Sequence, residues 1–578
     1  AKGPEGQVVK ILKRAHATLV GIIISAENNY YLAFIPLLGK NKPAEVFSPE
    51  KLQIGERVLV HVSDWKKASE PLKAQLKEKL GHIDNAAADI KTAIAEFNLA
   101  NDFSQEALQE AGAFKEETIQ NALEGREDYS RLNTITIDPA TAKDFDDALS
   151  LSKDAKGHFH LGVHIADVAY FVRPSSPLDL EAVKRSNSTY FPGFCLPMLP
   201  KTLSDNLCSL KPDLVRLTVS VMMEFDPQGQ LIDYQIKRSF IRNKRRFSYE
   251  EAMQVIDKKT ASPFQEELQQ MAELCQLLKK ERSQRGSIDF SLPSSELIVD
   301  ENGEPTAIKI VTYDLSHQLV EEFMLKANEL VADNLSRRQK KLIYRVHEAP
   351  DAEAAEDFFD LARSLHFTLP PNPTQEEIQK LFLKAKDSPF AGRLAIGFIR
   401  SMKLALYSQD NLGHYGLALE HYCHFTSPIR RYSDLIAVRL LFDEEGKIDL
   451  EAIAEKCSFS ERKSFKAEMA VLNLKKLRLL KRFHLENSKR LYPAIITKIK
   501  PYFLFFELKE LAFEGSLHLS ELNDDFYLYH LDELKLVGQH TRRSFQAGDE
   551  IGLMIQKVDL SFLEAQWKIQ PPPKPASI

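Results

Sequence analysis

Four carboxylates, Asp138, Asp144, Asp146 and Asp147, fall within one short stretch, Thr136-Ile-Asp-Pro-Ala-Thr-Ala-Lys-Asp-Phe-Asp-Asp-Ala-Leu149. Carboxylates brought this close repel one another unless a cation lies between them. Hard divalent ions such as Mg2+ prefer carboxylate and water oxygens to nitrogen or sulfur. A solvated Asp-rich turn is the ordinary explanation of such a run, but the flanks argue against it. Thr134-Ile-Thr-Ile137 alternates like a half-buried strand and Ala148-Leu-Ser-Leu151 resumes the pattern, so the acids interrupt a sheet rather than decorate a loop tip. A calcium-binding EF-hand loop would need an acidic or Asn group at Ala148 followed by Gly, and has neither. Two metals about 3.5–4 Å apart hold the attacking water and the leaving oxygen of a phosphodiester in line. The expectation is phosphoryl chemistry assisted by Mg2+, with two ions.

A second focus is His424-Phe-Thr-Ser-Pro-Ile-Arg-Arg-Tyr-Ser-Asp434. Thr426 or Ser427 is expected to cap a helix whose first position is Pro428, so that free backbone N–H groups, Arg430 and Arg431 converge on one helix N-terminus. That is an anion site: Arg grips phosphate with two parallel hydrogen bonds and stabilises charge that develops in a transition state. A capping cluster closed by internal salt bridges is the competing arrangement. After the acids, Asp154-Ala-Lys-Gly157 predicts a hairpin turn that returns the chain as Phe159-His-Leu-Gly-Val-His-Ile-Ala-Asp-Val168. His164 and Asp167 on this return strand have opposite parity, which suits hydrogen-bonded core groups better than direct ligation. The Pro- and aromatic-rich stretch from Tyr190 to Pro200 predicts a loop lining a cleft. There Tyr190 either stacks on a base, worth about 1–3 kcal/mol, or plugs the loop.

The elements that must position these groups follow from periodicity. From Gln7 to Val62, short apolar runs separated by turn residues, the first of them Val8-Val-Lys-Ile-Leu12, predict a small β-barrel of OB type. Lys67 to Asp128 reads as a helical, polar connector. Leu217 to Arg238 reads as strands, Tyr249 to Gln284 as helices, and Leu319 to Leu480 as mostly helical, with Glu321 and Glu322 in the first turns of an amphipathic helix. Leu491 to Ile569 returns to β and predicts a second barrel. Among Tyr502, Phe503, Phe505 and Phe506, half must face its core and the rest suit base stacking.

The 578 residues carry a net charge of −6, from 76 basic and 82 acidic side chains, so nucleic-acid binding must rest on local patches rather than overall basicity. Lys237, Arg238, Arg242, Lys244, Arg245 and Arg246 form one basic run; a second extends from Lys475, Lys476 and Arg478 through Lys481 and Arg482 to Lys489 and Arg490. Each suits a solvated face as well as a polyanion patch. The five cysteines, Cys195, Cys208, Cys275, Cys423 and Cys457, include no C-x-x-C pair, which argues against a zinc site, a redox motif or a disulfide framework. No run of 18 apolar residues is present and the start, Ala1-Lys-Gly-Pro-Glu-Gly6, lacks the apolar core of a signal peptide. The expectation is a cytoplasmic protein without a membrane partner, and the absent initiator Met suggests a trimmed chain.

Taken in order, Thr136-Ile-Asp-Pro with Lys143-Asp-Phe-Asp-Asp-Ala-Leu149, Val163-His-Ile-Ala-Asp-Val168, Pro197-Met-Leu-Pro with Leu203-Ser-Asp-Asn-Leu-Cys-Ser-Leu210, Val320-Glu-Glu-Phe-Met324, Arg345-Val-His-Glu348 and His424-Phe-Thr-Ser-Pro-Ile-Arg-Arg-Tyr432 resemble the ribonuclease II/R (RNB) family of 3′→5′ exoribonucleases over most of the chain. The resemblance implies a multidomain α+β protein. Its parts would be a cold-shock-type OB barrel over 1–66, a helical connector over 67–128, an RNB catalytic domain (a mixed sheet with helices) over 129–488, a C-terminal RNA-binding OB barrel over 489–570 and a Pro-rich tail over 571–578. It further implies Mg2+-dependent hydrolysis of single-stranded RNA, fed from a free 3′ end into a closed channel and released as nucleoside 5′-monophosphates. By position match, Asp138, Asp144, Asp146 and Asp147 would hold the metal, with Asp146, Asp147 and Arg430 as the catalytic groups. Tyr190 and Phe290 would clamp the terminal bases, Glu321 would meet a ribose hydroxyl near the 3′ end, and Arg430 and Arg431 would contact the strand. No membrane and no obligate protein partner are implied. The sequence departs from the family pattern in having one barrel before the connector and no basic tail before Ile578, so helicase-like unwinding is not implied. Ser433 and Val438 stand where members often carry Pro and His, a change expected to tune packing. Two other readings compete: a non-catalytic RNA-binding regulator, opposed by the presence of all four Asp and both Arg, and a deoxyribonuclease, opposed by the resemblance.

Overall fold

Alternating valine, isoleucine and leucine build the first unit. The computed structural model describes residues 12–570 except 13, 15, 66–69, 289–293, 371–372, 387, 389, 523 and 531–534. Strands Thr18–Ala26, Tyr31–Phe34, Ala44–Phe47, Glu56–Asp64 and Leu72–His82 close into a five-stranded barrel around Ile23, Val46, Val58, Val60 and Leu72. Residues 8–11 of the run that begins at Val8, the Phe290 position and the tail over 571–578 lie outside the described residues.

The fifth strand corrects the expected boundary. Leu72–His82 is not part of a helical connector: it pairs antiparallel with Glu56–Asp64 and parallel with Ala44–Phe47, and so carries the barrel past residue 66 to His82. Leu72 and Ala74 point inward while Lys73 and Gln75 are exposed, the period-two pattern of a half-buried strand. The charged Lys77-Glu-Lys79 that follows disguises it as a polar helix. Helix begins only after it, with a 3-10 turn at Ala86–Ala88 that leads into the α-helix Asp89–Glu96.

The middle of the chain is organised by a seven-stranded sheet in the order Arg245–Ser248, Ile135–Asp138, Asp147–Lys153, Phe159–Ala166, Val215–Phe225, Leu231–Arg242, Glu127–Asp128. Helix Gln265–Gln284 packs on the third of these strands and helix Leu315–Arg337 on the fourth. The first helix buries Leu268, Met271, Leu274, Cys275 and Leu278, a stripe at helical spacing. The expected hairpin is present. Asp154 Oδ1 accepts the N–H groups of Lys156 and His158, Gly157 takes φ +84°, and Ile165 returns opposite Asp147. His164 is fully buried, its Nε2 2.9 Å from Ser150 Oγ and its Nδ1 2.6 Å from Ser220 Oγ. Asp167 accepts a 2.6 Å hydrogen bond from Arg126. Both are internal polar groups, as their parity suggested.

One 37-residue helix, Leu450–Glu486, joins this sheet domain to the last one. Its basic run is not a solvated face at its centre, because Lys475, Lys476 and Arg478 are buried. The C-terminal unit is a five-stranded antiparallel sheet in the order Phe513–His518, Phe503–Leu508, Tyr492–Lys500, Glu550–Asp559, Glu564–Ile569, beside a three-stranded one. Its edges meet by packing rather than by a ladder: Trp567 on one edge strand lies 6.1 Å from Phe513 on the other, with Phe506 and Tyr492 at 5.4 and 5.9 Å. Leu504 and Phe506 point inward, while Phe503 stays 39% exposed on the opposite face with Phe505 6.2 Å away. All five cysteines are free.

Gly162 stands where the hairpin crosses the buried His164 cluster. A Cβ there would collide with Ser150 Oγ and lie 2.7 Å from His164 Nε2. Gly162→Ala is therefore expected to destabilise the sheet domain by about 1–3 kcal/mol, the cost of overpacking a filled interior, measured as a lowered midpoint in urea denaturation. An unchanged midpoint would show that the cluster yields freely.

Candidate active site

Asp138 ends strand Ile135–Asp138 and Asp147 begins strand Asp147–Lys153, two neighbours in the sheet that pair through Ile135 and Leu149. The loop between them is fixed by Phe145, which is buried. Its N–H donates to Ser209 Oγ at 3.1 Å, its carbonyl accepts the N–H of Leu210 at 3.0 Å, and Ser209 Oγ–H donates to the Lys143 carbonyl at 2.7 Å. On the other side Arg246 donates to the Pro139 carbonyl at 2.7 Å. Asp144 and Asp146 flank this anchor. Asp144 Oδ2 accepts the phenol of Tyr190 at 2.9 Å. Asp146, only 3% exposed, accepts the Ile429 N–H on Oδ1 at 2.8 Å, and its Oδ2 lies 3.4 Å from Arg430 Nε.

Burial and mutual repulsion set the charge state. Burial, followed by the charges of Asp147 and Asp146, pushes the Asp138 carboxyl up to about 8 against the pull of Arg246. Burial raises Asp147 to about 6 in spite of Arg430 and Arg431, and lifts Asp146 well above the carboxylate range although Arg430 and the Ile429 N–H oppose it. Burial also raises the phenol of Tyr249, with the charges of Asp147 and Asp138 adding to the effect.

Among the described residues, no three His, Cys, Asp or Glu side chains form a closed metal cage. Mg2+ does not require one, since it is commonly held by one or two carboxylates with waters and substrate phosphates. Two buried oxygens, Asp138 Oδ2 and Asp146 Oδ2, have no hydrogen-bond partner. An all-oxygen donor set, two buried carboxylate oxygens that accept no hydrogen bond and a repulsion that a cation would relieve fit a hard divalent ion.

The second focus differs from its expected form. The helix runs Tyr432–Leu441 rather than starting at Pro428, and the N-cap is Arg431 with no side-chain cap. The preceding residues form a tight turn, with the N–H groups of Arg430 and Arg431 on the Ser427 carbonyl at 3.2 and 2.9 Å. Tertiary pairing overrides the local capping preference: Ser188 N–H donates to the Arg430 carbonyl, Tyr432 N–H to the Ser186 carbonyl, and Arg431 is drawn into an extended bridge with Asn187. The backbone donor that reaches the acids is therefore that of Ile429. The two arginines divide. Arg431 is held by the fully buried Asp434 through Nε (3.1 and 3.0 Å) and Nη2 (2.7 Å), with its side chain 20% exposed. It is the salt-bridged member and braces the turn, rather than standing open to a strand. Arg430, 42% exposed, donates to Ser427 Oγ at 3.0 Å and faces Asp146.

Tyr190 sits on a short hairpin, Thr189–Phe191 with Phe194–Leu196, 40% exposed at the edge of the acid cluster. The long helix holds it: Glu468 accepts the Tyr190 N–H at 2.6 Å, and Ser464 Oγ accepts hydrogen bonds from Asn187 and Thr189 at 2.9 Å. Glu321 lies one turn beyond His317 in helix Leu315–Arg337, its side chain 41% exposed and 4.0 Å from Arg282 Nη1. His317 stacks on Tyr249 at 3.9 Å, and Tyr249 in turn senses Asp138 and Asp147, so Glu321 is on the helical face that leads to the site. Sequence reading did not place Tyr249 or Arg246 at the site. Both follow from strand Arg245–Ser248 running parallel to Ile135–Asp138, with Ser248 opposite Asp138; the one local signal was the capping box formed by Ser248 and Glu251.

Residues 126–444 match the RNB domain family, a span that contains both the acid loop and the Ser427–Arg431 turn. The chain belongs to the RNB family of exoribonucleases, on its ribonuclease R branch. It is 41% identical over 577 residues to ribonuclease R of Chlamydia muridarum, covering 98% of this chain and 82% of that one. It is 36% identical to ribonuclease R of Aquifex aeolicus, covering 96% and 81%. Among solved structures, Mycoplasma genitalium RNase R in complex with ribose-methylated single-stranded RNA superposes with a TM-score of 0.88 at 27% identity, covering 98% of this enzyme and 93% of that chain.

The raised Asp138 carboxyl has a measurable consequence. A folded-state value near 8 against an unfolded value near 3.9 means that the fold favours the protonated acid. Its contribution to stability is full below about pH 4 and is lost as pH rises through about 8. Without divalent cation, the melting temperature of the wild type relative to Asp138→Asn should fall between about pH 4 and 8 and level off above that. Added Mg2+ should raise it, and more so at the higher pH, because ligands bind deprotonated. Calorimetry that shows a Mg2+ shift independent of pH would contradict this.

Proposed function

We propose that this exoribonuclease hydrolyses single-stranded RNA from a free 3′ end, with two Mg2+ ions, and releases nucleoside 5′-monophosphates. The observation that carries the reading is the convergence at one place of two buried carboxylate oxygens that accept no hydrogen bond, the half-exposed arginine that pairs ionically with one of them, and an exposed tyrosine ring. Asp138 and Asp146 would hold the ions, with Asp144 and Asp147 beside them. Bound there, Mg2+ supplies positive charge that offsets the charge developing on phosphoryl oxygens. Arg430 grips the phosphate next to the terminal sugar, and the Ile429 N–H keeps Asp146 aimed. Tyr190 stacks on a base near the 3′ end while its phenol orients Asp144. Glu321 accepts a hydrogen bond from a ribose 2′-hydroxyl. A similar ribonuclease R was solved with single-stranded RNA and also with double-stranded RNA, which supports RNA as the ligand class. No helix among the described residues is long and apolar enough to cross a membrane, and a cytoplasmic location is part of the proposal. The primary test is a time course on 5′-labelled linear and circular RNA with and without Mg2+. Stepwise shortening of the linear strand alone is expected, and rapid cutting of the circle would make the enzyme an endonuclease.

Asp146→Asn keeps the side-chain shape and removes a ligand charge. It should lower single-turnover cleavage by orders of magnitude and leave the RNA dissociation constant nearly intact, because binding is spread over many phosphate and stacking contacts. Collapse of binding together with cleavage would make the acid stretch structural. Tyr190→Ala should change the length of the final undegraded oligonucleotide more than the rate on long RNA, as resolved on a sequencing gel; an unchanged end product would leave Tyr190 as loop packing. A strand ending in 2′-deoxynucleotides should react roughly tenfold to a hundredfold more slowly than matched RNA, the loss of one hydrogen bond to a charged group. Equal rates would remove Glu321 from sugar recognition.

A further inference from the structure

One buried carboxylate, Asp89, gathers three cations from distant parts of the chain. Arg57, on barrel strand Glu56–Asp64, donates Nη1–H to its Oδ1 at 2.7 Å. Arg478, on the long helix, donates Nη2–H to Oδ1 at 2.8 Å and Nε–H to Oδ2 at 3.2 Å, and Lys475 donates Nζ–H to Oδ2 at 3.3 Å. None of the four side chains is more than 5% exposed. Backbone carbonyls meet the surplus positive charge: those of His82 and Asn85 accept from Arg57, that of Ile83 from Arg478 and that of Gly303 from Lys475. Gly303 turns the hairpin Ser294–Val299/Pro305–Val311 at φ +77°, and a Cβ there would lie 3.2 Å from Lys475 Nζ, so glycine lets the turn sit directly on the ammonium. Barrel, connector and hairpin thus meet on one face of the long helix.

The same helix, about two and three turns earlier, holds the Tyr190 hairpin through Glu468 and Ser464. From Glu468 to Lys475 the helix rises only about 10 Å. We propose that Asp89 is a positioning residue of the exonuclease reaction: it locks the N-terminal barrel to the helix that carries Tyr190, so that RNA lying along the barrel reaches Arg430 and the aspartates in constant register. This rests on the proposed action on single-stranded RNA. Apolar contacts of Ile22, Phe34 and Ile83 with the core that includes Leu477 keep the barrel attached, but such contacts are non-directional. The fork geometry of Arg57 and Arg478 on a single carboxylate sets the orientation. A neutral group at Asp89 leaves three cations packed around it without their counter-charge.

The test uses Asp89→Asn in the whole chain, with Arg57→Gln as a second variant that cuts only the barrel's tie and leaves Asp89 on Lys475 and Arg478. Each is assayed on a tetranucleotide, which cannot both occupy the acid site and fill an OB-type surface that tracks roughly 4–16 nucleotides, and on an RNA of about 30 nucleotides, which can do both. Expected is a KM for the long RNA raised roughly tenfold or more, as linked sites lose effective concentration, with kcat on long RNA and kcat/KM on the tetranucleotide unchanged. Should Asp89→Asn fail to fold, Arg57→Gln carries the same expectation. An unchanged long-RNA KM in a folded variant, or a parallel loss on both substrates, would overturn the proposal. A wild type unable to shorten either RNA would instead refute the underlying reading of the activity.

Discussion

A carboxylate withdrawn from water must be given a donor, a cation or a proton, and Asp146 is where this constraint governs the molecule. It is satisfied on one oxygen by the Ile429 N–H, from 283 residues further along the chain, and left on the other to face Arg430. That one hydrogen bond requires the Ser427–Arg431 turn to be placed accurately. The turn is in turn held by Asp434, by Arg431 and by the backbone bonds of Ser186 and Ser188. The segment carrying those serines continues into the Tyr190 hairpin, whose phenol closes the circuit on Asp144. Acids, arginine and the Tyr190 ring are thus one connected network, in which no member is set by local propensity alone.

The acid cluster was legible because its neighbours alternate. Ile135, Ile137, Leu149 and Leu151 declare a buried sheet whatever the loop between them does, and the return strand through His164 followed for the same reason. The helix start at Pro428 was misread because Ser-Pro is a strong local signal. Pairing with the Ser186–Ser188 segment outweighs it, and nothing within a window of local sequence reports that pairing. Lys475 and Arg478 looked solvated for a similar reason: a basic helical face is ordinarily in water, and the carboxylate that draws these two inward lies 386 and 389 residues away. Tyr249, and Arg246 beyond its membership of a basic run, were not placed at the site because parallel pairing of strand Arg245–Ser248 with Ile135–Asp138 joins segments separated by the whole central sheet.

Rigidity is bought by buried polar contacts rather than by the apolar core alone. Asp434 with Arg431, Asp179 with Arg439 and Tyr432, and Asp89 with its three cations all fix orientation between elements that apolar packing would leave free to slide. Breaking such buried pairs typically costs about 3–5 kcal/mol because a charge is left uncompensated. The long helix collects two sets of these ties, one at the Tyr190 hairpin and one at Asp89, and so relates the N-terminal barrel to the site of chemistry.

The central claim is that the buried aspartates present a cation to the phosphate that is cut. Sulfur substituted for a non-bridging oxygen of the 3′-terminal phosphodiester tests it most directly, because Mg2+ coordinates sulfur poorly while softer divalent ions accept it. Single-turnover cleavage of the phosphorothioate RNA should be strongly slowed in Mg2+ and restored in Mn2+ or Cd2+ for one of the two diastereomers. Equal slowing in all three metals, for both diastereomers, would mean that no cation held by these carboxylates touches the reacting phosphate.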